Sequence, residues 1–177
     1  IFISDNIRMQ TISRKDPNPI SLDNASYIVG FVDGEGSFNI SFKVRTDYVY
    51  GIQVYPSFNI SQKEKDILVW IRNQFDCGTI RNRNDGVYYY EVHNLKELRE
   101  KVIPFFKKYK LKTKKKKAFE IFSKTIEVIS LKKLEWNDIK TIYNLREDIK
   151  VGRKRKYSLG DLEKIWKSSE TTRQTHH

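Results

Sequence analysis

The 177-residue chain is poor in the residues that serve several common chemistries: one cysteine, three histidines and one methionine. No stretch reaches the roughly 18 consecutive apolar residues that a membrane-crossing helix needs, which excludes such a span. Cys77 alone cannot close an internal disulfide, which favours a reducing compartment. So few thiols and imidazoles leave no zinc cluster, and no Ser-His or Cys-His pair offers nucleophilic catalysis. Acids are also in short supply, 22 against 34 lysines and arginines, giving a net charge of +12 and a pI near 9.6. That imbalance calls for a polyanionic partner, nucleic acid first and an anionic membrane surface second. With 38% hydrophobic residues the chain can still bury the core of one domain.

The patterning divides the chain into an N-terminal arm (1–20), a core (21–130) and a C-terminal helical extension with a basic segment (131–177). The chain opens on Ile1 rather than Met, and His176 and His177 are assigned no role. Ser21 and Asp23 are both suited to cap a helix through Tyr27, Ile28, Val29, Phe31 and Val32, ending near Gly34 and Gly36, where glycine gives the backbone freedom of a helix terminus. Period-two alternation follows. Phe38, Ile40, Phe42 and Val44 point one way, and Ser37, Asn39, Ser41, Lys43 and Arg45 the other. After a turn, Ile52, Val54, Phe58 and Ile60 oppose Gln53, Tyr55, Ser57, Asn59 and Ser61. Two such strands make an antiparallel pair with one polar face.

A helix over 64–75 is predicted, then a strand over 79–83, a turn at Asn84-Asp85-Gly86 and a tyrosine-rich strand over 87–92. Next come a helix from Leu95 to about Lys108, broken by Pro104, and another from about Lys114 to Ile129. Helices over 137–149 and 158–166 flank a basic break at 150–156. The expected class is α+β: a four-stranded antiparallel sheet with helices on one face and extra C-terminal helices.

The most informative stretch is Ile28-Val29-Gly30-Phe31-Val32-Asp33-Gly34-Glu35-Gly36. Gly30 and Gly34, one helical turn apart, leave a bare strip that a second helix can approach closely. Glu35 falls at the end of that helix, where the macrodipole disfavours an anion, which suggests a task such as holding a divalent cation. On spacing alone, a glycine-rich turn with solvated Asp33 and Glu35 fits about as well.

This stretch resembles the LAGLIDADG motif of homing endonucleases, with Gly30, Asp33, Glu35 and Gly36 at the motif's positions. Gly36-Ser37-Phe38, then Phe58-Asn59-Ile60-Ser61-Gln62-Lys63 and Leu111-Lys112-Thr113-Lys114-Lys115, continue the likeness. The element order matches the family's αββαββα core with its saddle-shaped sheet. The resemblance implies a site-specific double-strand DNA endonuclease, encoded within an intron, cutting a long and partly palindromic target. It further implies that Glu35 and the Gly34 carbonyl hold Mg2+ or another divalent cation, that Gln62 positions water, and that Lys114 stabilises the transition state. Lys112, Lys115, Lys116 and Lys117 crowd the lysine position, and Asp66 stands where some members carry a second basic residue.

A single motif implies a homodimer through Gly30, Phe31 and Gly34. The polar sheet face (Asn39, Ser41, Lys43, Arg45, Gln53, Tyr55, Ser57, Asn59, Thr79, Arg81 and Arg83) is the expected surface for reading duplex DNA in the major groove. The lysine-rich runs 107–117 and 150–156 suit phosphates. His93 reads as structural or exposed rather than catalytic. The implied setting is an organelle, mitochondrion or chloroplast, with bacterial or archaeal cytoplasm as the alternative, and no membrane partner. The competing function is a non-cleaving binder of the same fold, an RNA maturase or a transcription regulator. A generic RNA-binding sheet stacking bases on Tyr88, Tyr89 and Tyr90 stands further off.

Overall fold

In the computed structural model, which describes residues 20–48, 50–131, 133–149 and 156–174, Ser21 caps the first helix. Its Oγ accepts from the Asn24 N–H at 3.3 Å, and α1 runs Leu22–Glu35. The expected N-terminal arm, the basic break and the two terminal histidines lie almost wholly outside the described residues. Glycine at the end of α1 serves a different purpose from the one expected. Gly36 is extended at φ −74°, so it needs no left-handed conformation. It is small because a Cβ there would come within 2.5 Å of Val32 Cγ1 and 2.9 Å of Val32 O.

Strand β1 (Gly36–Val44) follows α1 without a loop and pairs with β2 (Ile52–Gln62) from Gly36↔Ile60 to Val44↔Ile52. Gly51, at φ +68°, supplies the left-handed residue of the intervening turn. Phe38, Ile40, Phe42, Ile52, Val54, Phe58 and Ile60 are buried as the alternation required, while Val44 is exposed at the hairpin end. Helix α2 (Lys65–Phe75) buries Leu68, Ile71 and Phe75. β3 (Thr79–Asn82) and β4 (Tyr88–Val92) form the second hairpin, and the four antiparallel strands are ordered β1-β2-β4-β3.

The helix expected to break at Pro104 does not break. It is α-helical over Leu95–Glu97 (α3), π-helical over Leu98–Val102 and α-helical again over Ile103–Lys108 (α4). Pro104 has no N–H for the α-helical ladder. The irregularity is taken up just before it, where the Ile103 N–H reaches back to Leu98 O in the wider turn. Helix α5 (Lys115–Leu131) then packs on the sheet, followed by α6 (Trp136–Glu147) and α7 (Leu159–Gln174), which runs past the Trp166 expected as its end.

One aromatic cluster ties sheet to helices: Phe38 contacts Phe58, Phe106, Phe119 and Phe122 at centroid distances of 5.2–5.4 Å. Ile139, Ile142, Leu162 and Trp166 belong to the same buried core, so the C-terminal helices are part of this domain rather than an appendage. Cys77 is buried and reduced. No described helix is long and apolar enough to cross a membrane.

Candidate active site and nucleic-acid interface

The end of α1 separates the two motif acids. Both oxygens of Asp33 are engaged: Oδ2 accepts the Lys112 N–H at 2.8 Å, while Oδ1 accepts the Thr113 N–H at 3.2 Å and hydroxyl at 2.8 Å. Partial burial raises the Asp33 carboxyl pKa, yet the three hydrogen bonds and the nearby Lys115 outweigh it and hold the group below the usual aspartate range. Asp33 is therefore a clamp that fixes the lysine-rich loop beside α1. Glu35, two residues on, is exposed and makes no hydrogen bond or ion pair among the described residues.

The clamp delivers a lysine. Lys115 Nζ donates to Gly34 O at 2.6 Å and to Val32 O at 3.1 Å, the carbonyls at the negative end of the helix. Half-burial lowers its ammonium below the usual lysine range; Glu35 and Asp33 pull the other way, and Lys114 adds to the lowering. Lys112 meets the motif helix through its backbone N–H, and Lys115, rather than Lys114, reaches it with its side chain. Lys114 is exposed next to Lys115.

Gln62 ends β2, two residues beyond Ile60, the partner of Gly36, so the pairing brings it to the same end of the sheet as Glu35. Its Oε1 accepts the Lys63 N–H at 2.7 Å, which leaves its amide NH2 as the available donor. Among the described residues no three metal-binding side chains cluster. One chain thus offers one free carboxylate and one carbonyl. That carbonyl is taken by the Lys115 ammonium, so its oxygen is a donor suited to a cation and becomes free for another when the lysine moves off it. The site is an open surface. A cavity of about 650 Å³ lies elsewhere, lined by Ile103, Pro104, Ser123 and Leu131 among others.

The strand registers gather the polar face. Asn39↔Ser57, Ser41↔Tyr55, Lys43↔Gln53, Asn59↔Glu91, Thr79↔Glu91 and Arg81↔Tyr89 all project from one side of the sheet. Ser57 and Asn59, expected on this surface, are on this face but only 6% and 5% exposed, so their neighbours cover them. Arg45 and Arg83 fall in the turns beyond the strands, where each pairs with an aspartate of its own turn, Asp47 at 2.7 Å and Asp85 at 2.8 Å. Lys43 Nζ lies 3.0 Å from the centroid of the Tyr55 ring, and Tyr55 stacks on His93 at 5.4 Å. Glu91, which is absent from the expected surface, shares this face with Tyr89 by the alternation along β4.

A motif helix ending in one free acid, a lysine loop locked against it and a polar saddle beside it identify the fold's relatives. The chain matches the family model for the LAGLIDADG endonuclease over residues 28–126, which is more than half its length. It is a member of the LAGLIDADG endonuclease family. It is 36% identical over 107 residues to "Probable intron-encoded DNA endonuclease 1" of Mycosarcoma maydis, covering 59% of this chain and 37% of that one. It is 31% identical over 102 residues to homing endonuclease I-ApeII of Aeropyrum pernix, covering 56% and 60%. The chain's match therefore spans less than two thirds of these relatives. Among solved structures, the archaeal intron-encoded homing endonuclease I-Vdi141I complexed with DNA superposes with a TM-score of 0.75 at 29% identity, over 84% of this chain and 98% of that one. The LAGLIDADG fold expected from the motif is thus the fold observed.

Proposed function

We propose that this LAGLIDADG chain is one subunit of a homodimeric, divalent-metal-dependent endonuclease that cuts double-stranded DNA at a long, partly palindromic site, encoded within an intron. The observation that carries the reading is the division of labour at the end of α1. Asp33 is consumed by the loop, while Glu35 is left exposed and unpaired beside a carbonyl that accepts a cation. A protein that only bound nucleic acid would gain nothing from an unpaired acid beside its own lysine loop and a polyanion. Relatives described as homing endonucleases, one of them seen with DNA, support the same reading.

In this reading Glu35 and Gly34 O hold the cation, Mg2+ being the natural occupant of a hard oxygen site. When bound, such an ion would neutralise phosphate charge and make the loss of a proton from a nearby water easier. The Gln62 amide donates to and orients the attacking water. Lys114, exposed beside Lys115, offsets the charge that develops on the phosphate. Lys115, which donates to Val32 O and Gly34 O, would keep the first contact and give up the second to the ion. With one carboxylate per chain, a second copy packed along α1 completes a pair of such sites across a twofold axis, one for each strand. The setting we infer is an organelle or an archaeal or bacterial cell carrying the intron.

The test is cleavage of a randomised duplex library with Mg2+ by wild-type protein and Glu35→Gln. Discrete cuts at one sequence, lost in the variant and with a chelator while duplex binding persists, are the expected result. Tight binding without cuts under several divalent metals would transfer the assignment to a maturase or regulator.

A further inference from the structure

Three arginines of the DNA-facing surface are ion-paired, and the pairs are not equivalent. Arg45–Asp47 and Arg83–Asp85 are each two residues apart in an exposed turn, with partner carboxylates 60% and 51% exposed. Solvent screens such pairs, and a phosphate or base edge displaces them at little cost. Arg81–Glu91 differs. Its Nη2–Oε2 distance is 2.6 Å, the arginine is 60% exposed and the glutamate only 12%. Glu91 is set between Asn59 of β2 and Thr79 of β3, in the middle of the sheet, whereas Arg81 stands on the edge strand. Its Oε2 also lies 3.7 Å from His93 Nδ1, so two basic groups converge on one half-buried oxygen.

We infer that Glu91 is a specificity-determining positioning residue, which holds the Arg81 guanidinium as a preformed fork for a guanine. The inference rests on the DNA-binding reading above and extends it to one base contact. A free arginine must give up the rotamer freedom of a long side chain to make a bidentate contact with guanine O6 and N7. Arg81 has one Nη fixed to Glu91, and its remaining donors face solvent from the polar side of the sheet, so part of that ordering is done before DNA arrives. The carboxylate acts in a second way: it repels phosphates, biasing Arg81 towards the groove floor rather than the backbone.

The experiment is binding selection from a randomised duplex library, with a chelator present so that no strand is cut, followed by sequencing. Wild type, Glu91→Gln, Arg81→Lys and the double variant are compared at one salt concentration, with folding checked by thermal melting. Wild type should show a guanine preference at one base pair per half-site. In Glu91→Gln that preference should fall by about tenfold or more, with affinity for unrelated duplex unchanged or slightly raised. Arg81→Lys, which keeps the charge and loses the fork, should erase the same preference, and the double variant should be no worse than Arg81→Lys alone. A Glu91→Gln profile identical to wild type, or a loss spread evenly over all positions, overturns the inference while leaving the endonuclease reading standing. Loss of a cytosine preference with guanine retained also overturns it, since Glu91 would then contact a base directly. Wild type with no sequence preference on duplex DNA overturns the underlying reading and the inference together.

Discussion

At the scale of single residues, the site is a partition of similar side chains into different tasks by geometry. Asp33 and Glu35 have the same charge and lie two residues apart, yet one accepts three hydrogen bonds and the other none. Lys114 and Lys115 are adjacent, yet only the second sits on the helix carbonyls. This predicts opposite signatures for two matched variants. Lys114→Met should slow cleavage by about 10²-fold or more with no change in melting temperature, because a transition-state contact is lost and no native one. Lys115→Met should lower stability by about 1 kcal/mol, having removed the donor to two carbonyls. Single-turnover cleavage alongside thermal melting separates them. Full activity in Lys114→Met would transfer the phosphate contact to Lys115. The places of Glu35 at the end of α1 and of Gln62 at the end of β2 were legible in the sequence, because a helix followed directly by a strand and the end of an alternating run fix them. The division among residues 112–117 was not, because successive lysines at the start of a helix differ by 100° of rotation and nothing in a run of like residues records which one faces the neighbour.

At the scale of elements, the β1–β2 hairpin is the longest reach of the sheet, and its outer end carries Lys43, Arg45 and Gln53 beyond the pairing with β4. It is braced from the helical side by α6 and α7. Tyr50 in the turn stacks on Trp166 at 3.9 Å and 11°, Phe42 packs on Tyr143, and the Arg146 guanidinium lies 4.8 Å from the Phe42 ring. The C-terminal helices thus have a structural role that their sequence left open. Trp166→Ala should cost about 3 kcal/mol and speed amide exchange selectively in the turn between Lys43 and Gln53. Unchanged protection there would mean that the hairpin is rigid without its brace. The strands were readable because period-two alternation records which face is buried. The π-helical turn before Pro104 and the docking of α7 were not, since the first is an adjustment of hydrogen-bond pattern within a helix and the second depends on two distant aromatics meeting. The burial of Ser57 and Asn59 was hidden for the same reason: alternation gives the face, while neighbours on adjoining strands decide the exposure.

At the scale of the whole molecule, α1 is one of the places where the described residues leave large apolar side chains exposed, beside Val44 and Tyr48 at the hairpin end and Leu131 at the end of α5. Leu22 is 70% exposed and Tyr27 52%, and a Cβ added at Gly30 or Gly34 would meet nothing within 4 Å. Within one chain those glycines are therefore a loss, since each costs a helix about 0.5–1 kcal/mol relative to alanine. The loss is recovered if a second copy of α1 approaches so closely that no side chain fits between the backbones. The two requirements oppose each other, and Gly30→Leu sets them apart. In dilution low enough to keep all chains monomeric, the variant should be more stable than wild type by about 0.5–1 kcal/mol, read by denaturant melting. At higher concentration, sedimentation should find wild type dimeric and the variant monomeric, with DNA cleavage lost because each chain holds one carboxylate. A variant that dimerises as tightly as wild type would show that the subunits meet elsewhere. One that is destabilised while still monomeric would show that Gly30 serves the fold of the single chain instead.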